Sequence, residues 1–584
     1  MAFEAIIQTP WGGPWRRFVD PVAIVHADGA GAVTACLDTI EERVRRERLF
    51  AAGFVSYEAA AAFGLPVGPR AMDLPLVCFG LFRPANVSTL DALPDGCGHR
   101  AGAWQPSIDR GQYDSAIQAI KERIAGGDTY QINFTFRLGA SFGGDPASLM
   151  RRLAGAQAGQ WGAYVETDAH AICSASPELF FSLVDGRLTC RPMKGTARRG
   201  LYTEDDERQA RRLRESEKNR AENVMVVDMV RNDLGRIARY GSVAVTSLYD
   251  VERYPAHWQM TSEVTAELDQ PARPRLSRIF QALFPSGSVT GAPKHSSMGI
   301  IRALETAPRG IYTGAIGCMT PAGDAHFNVA IRTVTIDKAA RRAEFGVGSG
   351  IVWDSTDRDE YAECLLKSAI LTSGASRADA GAFELLETMK WTAADGYALL
   401  DRHLARLTDS ARYFGVPLRR EELDAALAAA VRGRTAPARV RLRVGRSGAA
   451  ACDVSDLIPG PAAVRAALAP GPIDALDVFL YHKTTRRDVY DAARASRPDA
   501  DVVILWNAAG EVTEATTHNV VAEIAGRKVT PPVECGLLAG TFRAELLDRG
   551  EIQIARITPD DLAAATAVWI VNSVSGWTRA TMTP

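Results

Sequence analysis

The segment that decides the fold of the first half of the chain is AICSASPELFFSLVDGRLTCRPMKGT, residues 171–196. Its apolar side chains come in short groups separated by Gly and Asp, a pattern typical of β-strands. The same pattern returns at 311–352, whereas 113–126 has the apolar spacing of an amphipathic helix and 221–236 is also helical in character. Because strands and helices mix without a regular βαβ rhythm, the sequence predicts a large α+β domain rather than a doubly wound sheet.

A second unit is predicted to follow a linker. At 584 residues the chain is too long for a single core, and residues 373–382 are small and polar, as linkers are. Beyond them the sequence predicts a strand at 383–389 and a helix at 403–414. We therefore expect a first domain at 1–372 and a second, unrelated domain at 383–584, as in a fusion of two proteins.

The composition argues against several classes of protein. Apolar residues make up 47% of the chain and charged residues 23%, and a formal charge of −2 gives no basic surface for nucleic acid. Nine cysteines lack CxxC spacing, so neither a zinc site nor a disulfide framework is expected. The first ten residues are unlike a signal peptide, and no run of 18 apolar residues would span a membrane. A protein of the reducing cytoplasm is the expectation.

Two acidic helices in the first half form a candidate metal site. In ENVMVVDMVRND, 222–233, the carboxylates of Glu222 and Asp233 share one helix face with apolar residues between them. A second acidic helix, 357–363, follows a glycine loop at 346–350. Carboxylates on an apolar face are costly unless they hold a cation or have a partner. Oxygen ligands from two helices suit Mg²⁺, with water and an anionic substrate completing its coordination.

Two further features of the first half supply contacts for anions. The loop PSGSVTGAPK, 285–294, offers backbone amides, hydroxyls and a lysine before a helix, which makes it a candidate carboxylate cradle. Arg332 follows a predicted strand, where it can bind a carboxylate through two hydrogen bonds. One metal, one arginine and one cradle imply a small acid with more than one carboxylate. The candidate substrate contacts are Thr290, Gly291, Ala292, Lys294, Tyr312, Arg332, Gly348 and Gly350.

Taken in order, the motifs of the first half resemble those of the chorismate-utilising enzymes. The resemblance covers about 50–372 and rests on GFVSYE at 53–58, YQIN at 130–133, SPELF at 176–180, RPMKGT at 191–196, the Glu222 helix, the Gly291 loop, Arg332 and Glu363. This family includes anthranilate, isochorismate, salicylate and aminodeoxychorismate synthases, and the resemblance implies its fold, a large β-sandwich with helices. Lys194 favours an aminodeoxychorismate synthase, because the other three typically carry Ala at that position. Gln131 favours the same choice, because isochorismate synthases usually place a water-activating lysine there.

The resemblance also implies a role for individual residues. Lys194 attacks carbon 2 of chorismate and expels the 4-hydroxyl, to which Glu178 donates a proton; ammonia then enters at carbon 4 and displaces the lysine. Glu222 and Glu363 are the implied Mg²⁺ ligands, with Glu360 as a secondary candidate.

One segment departs from the family pattern, and one expected component is missing. In HWQMTS, 257–262, Gln259 stands where many relatives have a histidine, so the role of that histidine is not transferred to His257. No segment resembles a glutamine amidotransferase, whose nucleophilic cysteine lies in a Gly-x-Cys-x-Gly turn. Ammonia is therefore expected from a separate glutamine amidotransferase subunit, unless free ammonium suffices.

The second half carries a candidate site for pyridoxal phosphate. This cofactor needs a lysine that bonds its aldehyde, an acid facing its pyridine nitrogen and a cup for its phosphate. Lys483, within YHKTTRRDVY at 481–490, Glu514 and Arg406 are the candidates for these three roles. The remaining candidate cofactor contacts are Asn519, Thr541, Phe542 and Ser573.

Several motifs of the second half resemble those of the fold-type IV pyridoxal enzymes. They are FELLETM at 383–389, HLARL at 403–407, the Lys483 segment, Glu514 with Asn519, and GLLAG at 536–540. The resemblance implies a two-subdomain α/β fold, and it covers both aminotransferases and 4-amino-4-deoxychorismate lyase.

The fusion favours the lyase, which consumes the product of an aminodeoxychorismate synthase. Lys483 then abstracts a proton, pyruvate leaves and the ring becomes 4-aminobenzoate, a precursor of folate. Two alternatives remain. The second domain is an aminotransferase, or the whole chain is an anthranilate, isochorismate or salicylate synthase-like domain fused to an aminotransferase. A homodimer through the second domain is also open.

Overall fold

The computed structural model describes residues 3–9, 15–70, 74–94, 96–157, 159–254, 257–269, 275–371 and 383–583. The chain divides into two compact units, one of Met1–Arg199 with Gln209–Asp379 and the other of Gly200–Arg208 with Ala380–Pro584. The predicted linker, 373–382, lies outside the described residues. Within the described ranges, no helix combines the length and the apolar character that crossing a membrane requires.

The first unit contains 21 strands and eight α-helices within its described residues. The strands are β1 (Phe3–Ile7), β2 (Trp15–Phe18), β3 (Ala23–Ala27), β4 (Phe50–Val55), β5 (Val77–Phe82), β6 (Val87–Leu90), β7 (His99–Ala101), β8 (Gln105–Pro106), β9 (Gln131–Gly144), β10 (Ala163–Thr167), β11 (His170–Ser174), β12 (Leu179–Val184), β13 (Arg187–Arg191), β14 (Met193–Arg198), β15 (Ala244–Arg253), β16 (His257–Glu267), β17 (Gly291–Ala292), β18 (Ala315–Met319), β19 (Ala325–Val329), β20 (Thr333–Asp337) and β21 (Arg342–Ile351). The helices are α1 (Ala30–Glu47), α2 (Arg110–Ala125), α3 (Pro146–Gln157), α4 (Thr203–Glu215), which overlaps the boundary at residue 208, α5 (Glu217–Gly235), α6 (Leu276–Leu283), α7 (Lys294–Leu304) and α8 (Asp357–Ser368).

Two sheets form the centre of the first unit. One has eleven strands in the order β17-β9-β21-β20-β11-β10-β1-β2-β6, with β7 and β8 paired to β9. The other has ten strands in the order β14-β16-β13-β12-β19-β18-β4-β5-β3, with β15 paired to β16. Phe18 and Ile172 of the first sheet share one apolar cluster with Phe54 and Ile316 of the second. The sheets therefore pack face to face, which confirms the predicted α+β class and its β-sandwich.

Helices cover the outer face of each sheet. Val226 of α5 packs in one apolar cluster with Phe181 of β12, and Ile117 of α2 packs in another with Phe134 of β9. Helix α5 begins where the Ser216 hydroxyl accepts a hydrogen bond from a backbone amide of the first turn, which satisfies one of its free N–H groups. The helices predicted from apolar spacing correspond to α2 and α5.

The glycine-rich segment 346–350 is part of strand β21 and not a loop as predicted. It pairs residue by residue with β9. Its glycines allow close packing instead of a turn, since a β-carbon on Gly346 would lie 2.1 Å from the Tyr312 ring.

The second unit contains twelve strands and five further α-helices within its described residues. The strands are β22 (Leu385–Thr392), β23 (Gly396–Tyr397), β24 (Ala438–Val444), β25 (Ala450–Asp456), β26 (Ala463–Leu468), β27 (Val502–Trp506), β28 (Val512–Ala515), β29 (His518–Ile524), β30 (Arg527–Thr530), β31 (Gln553–Ile554), β32 (Ala567–Asn572) and β33 (Gly576–Met582). The helices are α9 (Leu400–Phe414), α10 (Arg420–Ala430), α11 (Asp488–Ser496) and α12 (Thr541–Asp548), followed by a short α13 (Pro559–Ala564), which makes five in all.

Two sheets build the second unit. A four-stranded sheet in the order β23-β22-β24-β25 packs against α9 and α10 through an apolar cluster that includes Leu385, Leu404, Leu427 and Val440. The other sheet has eight strands in the order β28-β27-β26-β33-β32-β29-β30-β31 and mixes parallel with antiparallel pairs. Each sheet has its own apolar cluster, in agreement with the predicted two-subdomain α/β fold.

Candidate active sites

The first unit encloses a cavity with about 1060 Å³ of empty space. Its wall is formed by Lys194 of β14, Glu222 of α5, Gly350 of β21 and Glu363 of α8, together with Arg332 just before β20. The other predicted site residues that line this cavity are Glu178, Tyr312, Gly348 and Glu360. The fold thus brings together residues that are up to 185 positions apart, from Glu178 to Glu363.

The backbone around Lys194 is fixed on both sides. Asn223 Nδ2 donates a hydrogen bond to the Lys194 carbonyl over 3.3 Å. Gln259 Nε2 donates to the Gly195 carbonyl over 2.8 Å, and Gln259 Oε1 accepts from Thr196 Oγ1 over 3.0 Å. Gly195 has a φ of +94°, which a residue with a β-carbon adopts only under strain. Gln259, the residue that departs from the family's histidine, therefore holds the segment that carries Lys194.

The Lys194 side chain lies over the bare backbone of β21. A β-carbon built on Gly350 would lie 2.6 Å from Lys194 Nζ and 2.4 Å from Gln131 Nε2. Lys194 and Gln131, two residues that the sequence linked to the choice of chemistry, thus meet at one point of the cavity.

Glu178 is a buried carboxyl group in the same cavity. Ser288 Oγ donates a hydrogen bond to Glu178 Oε1 over 2.6 Å. Burial raises the pKa of Glu178 to about 7, although the Ser288 hydrogen bond and the charge of Lys194 act in the opposite direction. A carboxyl group with this pKa retains a proton for transfer near neutral pH, as the predicted proton donor must.

Three carboxylates, those of Glu222, Glu360 and Glu363, face the cavity. Burial raises the pKa of Glu222, and repulsion from Glu360 and Glu363 adds to it against the opposing charges of Lys194 and Lys218. A cation would relieve this repulsion, and hard oxygen donors suit Mg²⁺. Among the described residues no group of three or more His, Cys, Asp or Glu side chains could hold a metal by itself. A Mg²⁺ ion here would therefore depend on further oxygen ligands from water and substrate.

Lys367 is a cavity residue that sequence analysis did not single out. Its ammonium lies 2.5 Å from Glu363 Oε1 and donates a hydrogen bond to the Gly348 carbonyl over 2.9 Å. Burial would raise the pKa of Glu363, but the charge and hydrogen bond of Lys367 outweigh burial and lower it. The spacing of four residues between Glu363 and Lys367 on α8 was the available signal in the sequence.

Arg332 is half-buried on the cavity wall and has a φ of +53°, a left-handed conformation that arginine rarely adopts. Its Nη1 donates a hydrogen bond to the Lys367 carbonyl over 2.5 Å. Burial lowers the pKa of Arg332 to about 10, with Tyr312 and Glu363 opposing the shift, so the guanidinium stays charged at neutral pH. A strained, charged residue on a cavity wall is consistent with the predicted carboxylate contact.

Four predicted substrate contacts, those of the 290–294 loop, do not lie on the cavity wall. Lys294 Nζ instead pairs with Asp233 Oδ2 at 2.7 Å, so neither residue faces the cavity as predicted. Gly291 and Ala292 pair with β9 as strand β17, and Thr290 Oγ1 donates a hydrogen bond to the Ser286 carbonyl over 3.1 Å. The same loop reaches the cavity through Ser288 and Val289, which sequence analysis did not name as candidates.

The second unit encloses a separate cavity with about 1530 Å³ of empty space. The predicted cofactor residues that line it are Arg406, Lys483, Glu514, Asn519, Thr541 and Ser573. Phe542 is not on this wall, because its side chain packs instead against an apolar cluster that contains Val521 and Val571.

Lys483 projects from a segment that is tied to β22. The Leu386 amide donates a hydrogen bond to the Lys483 carbonyl over 3.0 Å, and the Thr485 amide donates to the Glu384 carbonyl over 2.9 Å. Burial lowers the pKa of Lys483 to about 8, and the nearby charge of Arg406 acts in the same direction. More of this amine is therefore neutral near pH 7 than in an exposed lysine, and only the neutral form can act as a nucleophile or base.

Glu514 is held by hydrogen bonds from two sides. Tyr490 Oη donates to Glu514 Oε1 over 2.6 Å, and the Leu538 amide donates to the same oxygen over 3.2 Å. Burial raises the pKa of Glu514 to about 7 against these hydrogen bonds. Close to Glu514, a β-carbon on Gly540 would lie 1.9 Å from Asn519 Oδ1, so any other residue before α12 would displace the Asn519 side chain.

Sequence analysis missed a buried ionic cluster beside Arg406. Glu387 accepts hydrogen bonds from Arg406 Nε over 2.9 Å and Nη2 over 2.6 Å, and its Oε2 lies 2.6 Å from His403 Nδ1. His403 Nε2 in turn lies 3.3 Å from Thr541 Oγ1, at the start of α12. Burial would raise the pKa of Glu387, but Arg406 and His403 outweigh it and lower it to about 2.

This second cavity fits pyridoxal phosphate by the chemistry of its donors. Lys483 supplies an amine that is partly neutral, and Glu514 supplies a buried carboxyl group. Thr541 and the free amides at the start of α12, with Arg406 beside them, supply contacts of the kind that hold a phosphate. These three kinds of group are the ones that the cofactor needs.

Comparison with known proteins bears on both cavities. A family model described as chorismate binding enzyme matches residues 9–373, which contain the whole first cavity. The chain belongs to this family. A second model, described as amino-transferase class IV, matches residues 384–582, which contain the second cavity. This chorismate-binding enzyme therefore carries an additional domain of the aminotransferase class IV type.

Known relatives of this chorismate-binding enzyme include two synthases. Aminodeoxychorismate synthase component 1 of Klebsiella aerogenes is 39% identical over 261 residues, which are 45% of this chain and 57% of the relative. Anthranilate synthase component 1 of Aquifex aeolicus is 35% identical over 268 residues, which are 46% of this chain and 53% of the relative. The solved anthranilate synthase component I from Streptococcus pneumoniae TIGR4 is 25% identical, with a TM-score of 0.51 over 63% of this chain and 92% of the other. The chain spans little more than half the length of these two curated relatives.

Proposed function

We propose that this enzyme makes 4-aminobenzoate from chorismate in two steps, one in each cavity. The first unit replaces the 4-hydroxyl of chorismate with an amino group, and the second removes pyruvate from the product. The observation that carries the proposal is the meeting of Lys194 with Gln131 over Gly350, in a cavity that also contains Glu178. An amine in this position is the nucleophile that an amination of chorismate requires, and the relative from Klebsiella aerogenes supports the same choice.

In the first step Lys194 Nζ adds to carbon 2 of chorismate, both ring double bonds shift, and the 4-hydroxyl leaves with the proton of Glu178. Ammonia then adds at carbon 4, both double bonds shift back and Lys194 leaves from carbon 2. The net change replaces a hydroxyl with an amino group and releases water. The pKa of about 7 supports Glu178 as the donor of that proton.

The substrate of the first step is anionic, and Arg332 is placed to bind one of its carboxylates. Glu222 and Glu363, with Glu360 as a secondary ligand, are the residues that would hold Mg²⁺. The ion would supply a positive charge against a substrate carboxylate. Lys367 would keep Glu363 oriented toward the cavity through their ion pair.

In the second step the C4–H and C3–O bonds of 4-amino-4-deoxychorismate break, which gives aromatic 4-aminobenzoate and pyruvate. Pyridoxal phosphate, when bound, supplies an electron sink for the carbon that loses its proton. Lys483 is the base that takes the proton from carbon 4, because burial leaves part of its amine neutral. Glu514 would orient the cofactor ring, and Arg406, Asn519, Thr541 and Ser573, which line the same cavity, would supply the remaining cofactor contacts.

The proposal also concerns the source of ammonia and the assembly. Ammonia comes either from a separate glutamine amidotransferase subunit or from free ammonium. A homodimer would form through the second unit, as the resemblance to fold-type IV enzymes implies.

The test is product analysis with the full chain, chorismate, ammonium and Mg²⁺, with and without pyridoxal phosphate. We expect 4-amino-4-deoxychorismate without the cofactor, and 4-aminobenzoate with pyruvate when it is added. Anthranilate, isochorismate or salicylate as the product would contradict the first step. Amino transfer to a keto acid, without release of pyruvate, would contradict the second.

Two lysine variants separate the two steps. Lys194→Ala should form no aminated product from chorismate, yet convert added 4-amino-4-deoxychorismate to 4-aminobenzoate. Lys483→Ala should accumulate 4-amino-4-deoxychorismate and lose the absorbance band of bound pyridoxal phosphate. A mixture of the two variants should make 4-aminobenzoate again, and failure of the mixture would contradict two independent sites.

A further inference from the structure

Three arginines of the second cavity are outside its proposed cofactor site: Arg487, and the pair Arg439 and Arg441 of β24. Side chains alternate along a strand, and Val440 and Leu442 between and beside them are fully buried in the apolar core. Arg439 and Arg441 therefore project from the opposite face of the strand. Their positions, two residues apart, place them about 7 Å from each other along that face.

Arg443 lies on the same face of β24 but is neutralised by acidic neighbours. Its Nη1 lies 2.7 Å from Glu384 Oε2, and its Nε lies 3.0 Å from Asp453 Oδ2. By contrast, neither Arg439 nor Arg441 has an ion-pair partner within the described part of the chain, and Arg441 Nε is buried with no hydrogen-bond partner there. A buried donor without a partner costs free energy that a bound anion would recover.

The two arginines belong to the same cavity as Lys483. Across the sheet Arg441 is opposite Thr388 and Arg439 is opposite Lys390. Thr388 also lines the cavity, and two residues before it on β22 the Leu386 amide holds the Lys483 carbonyl. Strand β22 thus contacts both the Lys483 segment and the strand that carries the two arginines. An anionic group bound by the arginines would therefore lie away from the carbon that reacts at Lys483.

We propose that Arg439 and Arg441 form a carboxylate-binding site that selects a dicarboxylic substrate for the second unit. A guanidinium group binds a carboxylate through two parallel hydrogen bonds, and two such groups side by side favour a substrate with two carboxylates. This inference rests on the proposed function, because 4-amino-4-deoxychorismate has a ring carboxylate and an enolpyruvyl carboxylate. An ordinary monocarboxylic amino acid would leave the arginine pair without its full complement of anions.

The test compares Arg439→Met, Arg441→Met and Arg443→Met in the full chain with pyridoxal phosphate bound. Steady-state kinetics with 4-amino-4-deoxychorismate should show KM raised about tenfold or more in the first two variants, with a smaller change in kcat. Arg443→Met, whose charge is already paired on the same strand, should keep the wild-type KM. Arg441→Lys should recover part of the loss, because it restores the charge but not the paired hydrogen bonds.

Two results would overturn the inference. One is an unchanged KM in both Arg439→Met and Arg441→Met while the wild type is active. The other is weaker binding of pyridoxal phosphate in these variants, measured by titration of its absorbance, which would place the arginines in the phosphate cup instead.

Failure of the proposed function would be seen separately, as a wild type that does not act on 4-amino-4-deoxychorismate. The arginine site would then be judged by calorimetric titration with isophthalate, a ring with two carboxylates, and with benzoate, which has one. Isophthalate should bind the double variant Arg439→Met/Arg441→Met at least tenfold more weakly than it binds Arg443→Met. Equal binding of isophthalate to the two variants would refute the site. Any isophthalate bound in the first cavity does not affect the comparison, because that cavity is the same in all variants.

Discussion

The Lys194 ammonium group occupies the space that a side chain at position 350 would fill. A β-carbon on Gly350 would lie 2.6 Å from Lys194 Nζ, well inside the distance that real atoms tolerate. Glycine at 350 is therefore a condition for the position of the lysine, and not only for the pairing of β21 with β9. The two residues come from different sheets of the sandwich.

Gly350→Ala should abolish most of the first activity without unfolding the protein. The atoms that the new methyl group meets are the ends of the flexible side chains of Lys194 and Gln131, which can move aside. A displacement of about 1 Å at a reacting group costs about 100-fold in rate, and we expect a loss of that size in chorismate amination. The measurement is the rate of chorismate consumption with ammonium, together with the melting temperature.

Gly143→Ala is the matched control for this variant. Gly143 lies in β9 of the same sheet, and a β-carbon there would meet no atom within 4 Å. Its activity should equal that of the wild type. Equal activity of Gly350→Ala would show that Lys194 does not act from the position in which the structure places it.

The amination of chorismate should lose activity as the pH rises above about 7. Burial raises the pKa of Glu178 to about 7, and a proton donor works only while it is protonated. The measurement is the pH dependence of kcat/KM for chorismate, with the concentration of neutral ammonia held constant. Glu178→Gln should lower the rate by about 100- to 10,000-fold and remove this alkaline limb.

The same shift has a consequence for stability with a definite sign. Between the ordinary pKa of a glutamic acid and about 7, the folded protein binds a proton at Glu178 that the unfolded chain releases. The contribution of this group to the free energy of unfolding therefore falls as the pH rises through that window. The difference in unfolding free energy between Glu178→Gln and the wild type should therefore shift in favour of the variant from pH 5 to pH 8. An unchanged difference would contradict the buried position of the carboxyl group.

Local sequence was enough to predict some site residues and not others. Lys194 lies in strand β14 and Glu178 immediately before strand β12, each within a short motif, and both side chains line the cavity. The significance of Lys367 depends on Arg332, 35 positions earlier in the chain. Such a partner becomes visible only when the fold brings the two elements together.

The wrong prediction for Lys294 has the same physical origin. In the sequence Lys294 is a cation after a glycine-rich loop, free to meet a substrate carboxylate. In the fold a carboxylate of the protein, Asp233 on α5, lies 2.7 Å away and takes that place. The fold of both units was more predictable than the site, because it follows from apolar patterns repeated along whole elements.

Glu387→Ala should destabilise the second unit and weaken its hold on pyridoxal phosphate. Glu387 is 1% exposed, neutralises Arg406 and is hydrogen-bonded to His403, so its removal leaves the Arg406 charge and the His403 ring without their buried partner. Breaking a buried ionic cluster in this way costs about 3–5 kcal/mol of unfolding free energy. Urea unfolding of the holoenzyme, followed by loss of the cofactor absorbance, measures the change.

Glu384→Ala provides the comparison for Glu387→Ala. Glu384 also pairs with an arginine, Arg443, but its side chain is 36% exposed, and a partly exposed pair contributes less than about 1 kcal/mol. Glu387→Ala should therefore lower the urea concentration at the unfolding midpoint several times more than Glu384→Ala does. Similar midpoints would contradict the buried cluster as the structure describes it.

Uptake of pyridoxal phosphate should follow the titration of Lys483, with a midpoint near pH 8. Only the neutral amine reacts with the cofactor's aldehyde, and burial, reinforced by the charge of Arg406, lowers the pKa of Lys483 to about 8. The rate constant for uptake by the cofactor-free protein, measured by stopped-flow absorbance, should therefore rise with pH up to about 8 and then level off. An amine exposed to water would instead give a rate that still increases beyond pH 10. That continued increase would show that Lys483 is not held in the buried environment on which its role as a base depends.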